Sequence, residues 1–295
     1  MHILLLGYIG QLGWELRRTL APLGEVRCLD YPEIDLRQAG SLREVVRSHY
    51  LDVIINATAY TAVDRAETEP EVALQINARA PGLLAEEAFA RGIGLIHYST
   101  DYVFDGTKGE DYCETDLPNP LGVYGQSKLE GEQAIQQVGG NYLILRTSWV
   151  YSLRRDSFVT KVLSWARQQS VLRVVTDQVA NPTWARMLAE ITAQMLAIGS
   201  EDLPGWLAER RGLYHLAGSG RASRMEWAQS ILRLDPKREE QLVKELQPAL
   251  TSEFPTPAKR PLFSALNCDL FTQTFGLRMP PWEDALRMAM ENGHG

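Results

Sequence analysis

Two side chains that could together move a proton lie four residues apart in the segment LGVYGQSKLEGEQAI, residues 121–135. They are Tyr124 and Lys128, and positions i and i+4 share one face of a helix. A phenol has an ordinary pKa of about 10, but a nearby ammonium group favours the phenolate and lowers that pKa. The pair is therefore a candidate proton donor with its charge partner. The alternative is a tyrosine packed on a sheet beside a solvated lysine, and the spacing alone favours that alternative.

A third group is needed to orient the oxygen that receives the proton, and a preceding strand offers one. The hydroxyls and carboxylate of Ser99-Thr100-Asp101 follow the apolar segment GLIHY. Ligands of open α/β sheets bind at the carboxyl ends of the strands. This arrangement favours a catalytic site over a coincidence of spacing.

A glycine loop near the N-terminus indicates where a cofactor would bind. Gly7, Gly10 and Gly13 separate the strand candidate HILLL from a helical pattern, and GxxGxxG differs by one residue from the dinucleotide fingerprint. Such glycines allow a tight turn and a close approach of the backbone to a pyrophosphate, which the helix N-terminus then attracts. Asp30 ends the second strand, where a carboxylate accepts hydrogen bonds from an adenosine ribose. The alternative for Asp30 is a turn residue before Pro32.

The elements that must position these residues alternate between short apolar runs and helical patterns. The strand candidates are HILLLG, VRCLD, DVIINAT, GLIHYST and YLILRTSWV. This alternation predicts an α/β fold with a Rossmann-like, doubly wound parallel sheet. After about residue 150 helical patterns and proline-rich segments dominate, and strand candidates occur only at LRVVTDQ and GLYHLAG.

The change of pattern predicts two unequal parts. We assign residues 1–150 to a nucleotide-binding domain and residues 151–295 mainly to a smaller, mostly helical substrate-binding lobe. Residues 174–200 are expected to return to the main sheet, so a single boundary is approximate.

Composition excludes several classes of function. The 295 residues are 45% hydrophobic and 23% charged, with a net charge of -7, so we expect no nucleic acid and no membrane as a partner. Cys28, Cys113 and Cys268 have no metal-ligand spacing, so we expect no metal site and reduced thiols. The N-terminal apolar run is too short for a signal-peptide core, and we expect a cytoplasmic protein.

Six segments from both halves of the chain carry a family resemblance. They resemble the extended short-chain dehydrogenase/reductase superfamily and, within it, the dTDP-4-dehydrorhamnose reductases. The segments are NATAYTAVDRAETEPEVALQIN (56–77), HYSTDYVFDG (97–106), NPLGVYGQSKLEGE (119–132), RTSWVY (146–151), TDQVANPT (176–183) and AKRPLFSALN (258–267).

The resemblance implies roles for individual residues. Thr100, Tyr124 and Lys128 would be catalytic: a hydrogen-bond donor to the substrate carbonyl, the proton donor, and the group that tunes Tyr124 and holds the nicotinamide ribose. The residues implied at the sugar are Thr100, Asp101, Tyr102, Trp149 and, at the nucleotide-sugar end, Arg260. Trp149 has the alternative of a core aromatic, and Arg260 that of an anchor for a loop carboxylate.

The implied cofactor is NADPH or NADH. Besides Asp30, Tyr124 and Lys128, the residues implied around it are Gly7, Gly10, Gln11, Leu12 and Gly13 at the phosphates, Asp35 and Leu36 near adenine, and Asn56, Ala57, Thr58, Ala59 and Tyr60 beside ribose and pyrophosphate. Asp30 favours tolerance of NADH, because a carboxylate there repels a 2′-phosphate.

Two positions depart from the family pattern. Ala180 stands where the family often has glycine. Some bacterial members are described with a magnesium-assisted dimer contact of glutamates; Glu15 is present here, but Arg186 occupies another such position. A second cation beside magnesium is unfavourable, so we expect a monomer or a weak homodimer.

The expected reaction is reduction of the 4-keto group of a dTDP-linked 4-keto-6-deoxy sugar. One alternative is a nucleotide-sugar epimerase or dehydratase on the same scaffold, since dehydratases add acidic residues beside the threonine and Asp101 is acidic. Another is a non-catalytic regulatory subunit of the type that partners methionine adenosyltransferase.

Overall fold

The computed structural model of the chain describes residues 1–292. Within that range the strands are His2–Leu6 (β1), Glu25–Leu29 (β2), Val53–Asn56 (β3), Gly94–Thr100 (β4), Asn141–Thr147 (β5), Val150–Tyr151 (β6), Val171–Val175 (β7), Val179–Ala180 (β8), Thr183–Trp184 (β9), Gly212–His215 (β10), Ala222–Ser223 (β11) and Glu245–Ala249 (β12). The helices are Gln11–Leu20 (α1), Ala39–Arg47 (α2), Val63–Ala66 (α3), Pro70–Leu74 (α4), Ala80–Arg91 (α5), Val123–Val138 (α6), Phe158–Ala166 (α7), Ala185–Ile198 (α8), Leu203–Glu209 (α9), Arg224–Leu234 (α10), Asp269–Phe275 (α11) and Trp282–Asn292 (α12). None of these described helices is both long and apolar enough to cross a membrane.

The main sheet has the strand order β2-β1-β3-β4-β5-β10, and every neighbouring pair is parallel. The chain runs from β1 outward to β2 and then crosses back over β1 to β3. The order therefore reverses between β1 and β3, which is where open α/β sheets bind their ligands. The predicted Rossmann-like α/β fold is confirmed.

Both faces of the sheet are covered by helices, as the continuous apolar strands predict. Along β1, Ile3 and Leu5 point to one face and Leu4 and Leu6 to the other, because side chains alternate along a strand. The first pair packs against α1 and α8. The second pair packs against α2, α5 and α6.

The helical segment from α4 to α5 is interrupted by a π turn over Gln75–Arg79. Pro81 lacks the N–H that would bond the carbonyl of Asn77 four residues earlier. Gly131 of α6 packs onto that carbonyl, since a Cβ at Gly131 would lie 2.1 Å from it. The freed carbonyl thus fits where two helices meet closely.

The later part of the chain builds a second core and also returns to the first. The second core surrounds Trp227 and includes residues of α7, β7, α10 and α12. Within residues 174–200, which the sequence expects to return to the first domain, α8 packs with α1 in the core on one face of the main sheet. β10, which the sequence placed in the second lobe, extends the main sheet beside β5. The boundary at residue 150 stays a prediction of where two functional lobes divide, and the sheet draws on both sides of it.

Candidate active site

A cleft of about 1000 Å³ opens at the carboxyl edge of the main sheet. Its wall combines the loop after β1, the ends of β3, β4 and β5, and the first turns of α6 and α10. The predicted site residues that line it are Gly7, Gly10, Gln11, Leu12, Asp30, Ala57, Thr58, Ala59, Thr100, Asp101, Tyr102, Tyr124, Lys128 and Trp149. The predicted residues that do not line it are Gly13, Asp35, Leu36, Asn56, Tyr60 and Arg260.

The glycine loop, residues 7–13, exposes backbone atoms without side chains to this cleft. Gly7 has a φ of +86°, and a Cβ there would lie 2.9 Å from the carbonyl of Ala57. A Cβ at Gly13 would lie 1.9 Å from the carbonyl oxygen of Gly7. Only glycine fits at either position, and the first turn of α1 then presents its free N–H groups to the cleft.

Asp30 braces this loop. Its carboxylate accepts a hydrogen bond from the N–H of Ile9 at 3.0 Å and another from the N–H of Tyr31 at 2.8 Å. Asp30 therefore stabilises the turn through two hydrogen bonds, and it also lines the cleft. Asp35 instead pairs with Arg37 at 2.7 Å, which lowers the pKa of Asp35 mainly through that hydrogen bond.

The residues after β3 divide between the cleft and the core. Ala57, Thr58 and Ala59 line the cleft. Tyr60 turns away, because its N–H donates to the side-chain oxygen of Asn77 at 2.8 Å and its hydroxyl donates to Glu69. Asn56 is fully buried.

Tyr124 lies in the first turn of α6, opposite Thr100 at the end of β4. Burial raises the pKa of Tyr124, and a hydrogen bond with Thr100 opposes that rise. The ring of Tyr102 packs edge-on against that of Tyr124, with 5.6 Å between ring centroids. The phenol is therefore protonated, as a general acid must be before it reacts, but a pKa raised above the working pH makes it a weaker proton donor.

A glycine sets the distance between α6 and β4. A Cβ at Gly125 would lie 2.1 Å from the backbone oxygen of Tyr102, so only glycine lets the first turn of α6 come this close. The contact places Tyr124 against the strand end that carries Thr100.

Lys128 is 1% exposed, and its ammonium nitrogen reaches the carbonyl of Tyr98 at 2.6 Å and Nε2 of His97 at 3.1 Å. Burial lowers the pKa of Lys128 to about 8, against the opposing charge of Glu132. The groups that shift the pKa of Tyr124 are Thr100, Asp101 and Tyr102 in addition to burial, and Lys128 is not one of them. The predicted lowering of the Tyr124 pKa by Lys128 is therefore not seen in this arrangement.

Asp101 is a buried carboxylate in the cleft wall, 2% exposed. Burial raises the pKa of Asp101 to about 6, although Ser264 donates to it at 2.5 Å and Thr100 at 3.2 Å. These bonds hold the hydroxyl of Thr100 between Asp101 and Tyr124.

Trp149 lies in the cleft wall with a φ of +40°, a backbone conformation that is strained for a bulky residue. Trp227 stacks near one side of its ring, with 5.4 Å between centroids. The guanidinium of Arg224 lies 3.6 Å from its ring centroid. Trp149 therefore belongs both to the second core and to the cleft.

Sequence reasoning missed Arg224. Within residues 1–292 its guanidinium makes no hydrogen bond and no ion pair, although it lines the cleft with Lys128 and Arg155 as the other cations. Burial lowers the pKa of Arg224 to about 10. The box SRME, in which Ser223 caps α10, could have located the helix start, but nothing local indicates that Arg224 faces a cleft.

Arg260 does not reach the cleft wall. Its guanidinium pairs with Asp64 at 2.8 Å, and Asp64 also accepts the N–H of Ala258. This is the loop-anchoring alternative that the sequence left open. Ala180, the other departure in this region, is fully buried where β8 pairs with β11, so its methyl group packs there without entering the cleft.

The buried hydroxyls in the cleft wall that lack a hydrogen-bond partner within the described part of the chain include Ser99 Oγ and Thr147 Oγ1. These two belong to the neighbouring strands β4 and β5. Buried polar groups in proteins are nearly always hydrogen-bonded. The pair therefore marks a polar surface that a bound ligand would satisfy.

Comparison with known proteins finds relatives that match nearly the whole chain. The family model described as RmlD substrate binding domain matches residues 1–294. The dTDP-4-dehydrorhamnose reductase of Burkholderia thailandensis is 39% identical over 99% of both chains. That of Escherichia coli K12 is 41% identical, over 96% of this chain and 95% of the relative. The crystal structure of dTDP-4-dehydrorhamnose reductase from Bacillus anthracis in complex with NADP is 30% identical and covers 98% of both chains with a TM-score of 0.87.

Proposed function

The chain belongs to the family of the RmlD substrate binding domain, whose curated relatives above are dTDP-4-dehydrorhamnose reductases, and we propose that it reduces the 4-keto group of dTDP-6-deoxy-L-lyxo-4-hexulose to give dTDP-L-rhamnose. The electron donor is NADPH or NADH. The observation that carries the proposal is the meeting of the Tyr124 phenol and the Thr100 hydroxyl in the same cleft as the glycine loop.

The residues of the cleft fit a nicotinamide dinucleotide. A side chain at Gly7 would collide with the backbone of Ala57, and one at Gly13 with the carbonyl of Gly7, so the tight turn that brings this backbone to the cleft needs glycine at both positions. The unsatisfied hydroxyls of Ser99 and Thr147 offer polar partners deeper in the cleft. When bound, a reduced nicotinamide supplies the hydride that the carbonyl carbon receives.

Residues of the chain itself orient the substrate carbonyl oxygen and supply the proton that it receives. The hydroxyl of Thr100 has one proton, which it donates to Asp101 at 3.2 Å in the structure and would turn towards the substrate to orient the carbonyl oxygen. Tyr124 gives its phenolic proton to the same oxygen as negative charge develops there. Lys128 supplies hydrogen-bond donors to a nicotinamide ribose.

The sugar nucleotide is proposed to lie against Asp101, Tyr102 and Trp149. For its diphosphate we favour Arg224 over Arg260, because the guanidinium of Arg224 is free of ion pairs and faces the cleft, whereas that of Arg260 is bound to Asp64. Planar guanidinium groups bind phosphate oxygens through paired hydrogen bonds.

A second candidate function is a nucleotide-sugar dehydratase or epimerase. The raised pKa of Asp101, about 6, is the observation in its favour, since an elimination needs a carboxylic acid that is protonated near neutral pH. Both Asp101 oxygens, however, already accept hydroxyl hydrogen bonds from Ser264 and Thr100. Tightly retained NAD after purification would favour this candidate, and cofactor that washes off favours the reductase.

The test is a coupled assay that starts from dTDP-glucose with an upstream dehydratase and epimerase and identifies the product sugar. We expect nicotinamide oxidation and dTDP-L-rhamnose; no oxidation with either cofactor rejects the proposal. Tyr124→Phe should remove most turnover and leave cofactor binding nearly intact. Tyr214→Phe is the matched control, because it removes a buried phenol that bonds the carbonyl of Arg210 outside the cleft.

A further inference from the structure

Three buried side chains form a line of contacts behind the cleft. Asn56 and His97 are 0% exposed and Lys128 is 1% exposed. The side-chain nitrogen of Asn56 lies 3.1 Å from Nδ1 of His97, and Nε2 of His97 lies 3.1 Å from the Lys128 nitrogen. The mechanism described above uses only the last of the three.

The amide of Asn56 has a fixed orientation. The backbone N–H of Thr58 donates to its side-chain oxygen at 3.1 Å, and the Thr58 hydroxyl donates to the same oxygen. A flipped amide would set two donors against each other at this contact. The nitrogen of the Asn56 amide must therefore face His97.

That orientation decides the tautomer of His97. A neutral imidazole has one N–H donor and one acceptor nitrogen. Nδ1 of His97 accepts the Asn56 hydrogen bond, so the ring proton lies on Nε2, which faces Lys128. Burial holds the pKa of His97 well below its usual range, so the ring is neutral.

An ammonium group on Lys128 conflicts with this neighbour. It has three donors and no acceptor, and one of them would meet the Nε2–H of His97 at 3.1 Å. A neutral amine instead donates to the Tyr98 carbonyl at 2.6 Å and accepts from His97 with its lone pair. We propose that His97 is a positioning residue that, held in its Nε2–H tautomer by Asn56, favours the neutral amine form of Lys128 in the cofactor-free protein.

The other charged groups near Lys128 do not offset this preference. Glu132 lies one turn along the same helix and favours the ammonium, but Arg146 of β5 binds both of its carboxylate oxygens, at 2.6 and 2.9 Å. From β4, Tyr98 presents its carbonyl, and its phenol bonds Thr192 at 2.7 Å. Tyr124, one turn before Lys128, is neutral because its pKa is raised.

The consequence for catalysis rests on the proposed function. A bound cofactor brings negative phosphates and ribose oxygens, which favour the ammonium, so Lys128 would take one proton from solvent as the cofactor binds. Above the pKa of Lys128, affinity for NADH should then fall by up to about tenfold for each unit of pH. The protonation state of Lys128 in the cofactor-free protein can be tested without an activity assay.

The direct test is heteronuclear NMR of the cofactor-free wild-type protein. 15N-histidine reports which ring nitrogen of His97 is protonated, and 13C-lysine reports the titration of Lys128. The chain has five histidines and six lysines, so assignment by single substitutions is practical. We expect His97 to show a protonated Nε2 and a bare Nδ1, and the Lys128 side chain to titrate at or below about pH 8. A protonated Nδ1, or a Lys128 midpoint near the ordinary pKa of about 10.4, overturns the proposal.

Two variants test whether His97 and Asn56 are responsible for the low titration midpoint of Lys128. In His97→Gln the amide can turn its oxygen towards Lys128, and in Asn56→Asp the carboxylate draws the ring proton to Nδ1, so both should raise the Lys128 midpoint by roughly one pH unit or more. His215→Gln is the control, because His215 is equally buried but its Nδ1 faces the carbonyls of Tyr112 and Asn267 at 3.0 and 3.2 Å. An unchanged midpoint in both test variants, or an equal shift in the control, refutes the role of His97. If the NMR results are as expected and the keto sugar is not reduced, the proposed function fails alone.

Discussion

At the scale of single residues, Arg224 offers the sharpest test of how the substrate is held. Its guanidinium has no ion-pair partner among the described residues, and charge-assisted hydrogen bonds contribute about 1.5–3 kcal/mol each. Arg224→Ala should therefore raise the KM for the keto sugar by roughly 10- to 100-fold and leave the KM for NADH nearly unchanged. Arg221→Ala is the control, since Arg221 pairs with Asp111 outside the cleft wall. Equal effects in the two variants would contradict the diphosphate role.

Burial of Asp101 should make the stability of the folded protein depend on pH, and the direction of that dependence follows from the raised pKa. The pKa of Asp101 is raised to about 6 in the folded protein, against about 3.9 in an unfolded chain. The folded state therefore binds more protons between these values, and this contribution to stability is present below about pH 4 and lost as the pH rises through 6. The free energy of unfolding of Asp101→Asn, measured against that of wild type, should gain on the order of 3 kcal/mol between pH 4 and pH 7.

Asp105 provides the control with the opposite sign. Hydrogen bonds, led by that from Asn119, lower the pKa of Asp105 to about 2, so its contribution is present at neutral pH and lost as the pH falls towards 2. Asp105→Asn should therefore lose stability relative to wild type as the pH rises from 2 to 5. Parallel pH trends in the two variants would show that burial does not govern Asp101. Urea unfolding at each pH measures both.

At the scale of elements, the approach of α6 to β4 depends on Gly125. A Cβ there would lie 2.1 Å from the Tyr102 carbonyl, and backbone on both sides must separate to admit it. Gly125→Ala should displace Tyr124 from Thr100 and lower kcat at least tenfold. Gly40→Ala makes the same change within α2, where a Cβ meets nothing within 4 Å, and should stabilise the protein by up to about 1 kcal/mol with kcat unchanged. Full activity in Gly125→Ala would show that the contact does not set the site.

The elements of the first half follow from sequence because their signals are local. Apolar runs buried on both faces predict β1, β3 and β4, and Gly92 ends α5 in the left-handed conformation that favours glycine. The glycine loop and Tyr124 are predictable for the same reason, since turn chemistry and helical spacing depend on near neighbours. The π turn before Ala80 is not, because it depends on the fit of Gly131 against a carbonyl of another helix.

Features that depend on distant contacts were beyond sequence reasoning. β10 joins β5 across about seventy residues, and no local pattern distinguishes its place in the main sheet from one in the second lobe. Arg224 and Arg260 are both plausible phosphate ligands by type. Their positions differ because Asp64 binds one guanidinium and the cleft faces the other.

At the scale of the whole molecule, the cleft joins parts of the chain that are far apart in sequence. The glycine loop lies within the first 13 residues, and Trp149, Arg155 and Arg224 come from the second half. Cofactor and sugar nucleotide would therefore contact different segments, and each should stabilise the folded chain by mass action, by about 2.7 kcal/mol at 100 times its Kd.

The charged residues of α8 allow a prediction of the oligomeric state. The family resemblance raises a magnesium-assisted dimer of glutamates, but Arg186 of α8 stands at one such position and holds Glu190 at 2.9 Å. The ion pair already neutralises that carboxylate, and a divalent cation beside a guanidinium is repelled. We therefore expect light scattering after size exclusion to give the same molar mass in magnesium chloride, in EDTA, and in sodium chloride of equal ionic strength. A mass that doubles with magnesium alone would show that other carboxylates, Glu15 among them, build the contact despite Arg186.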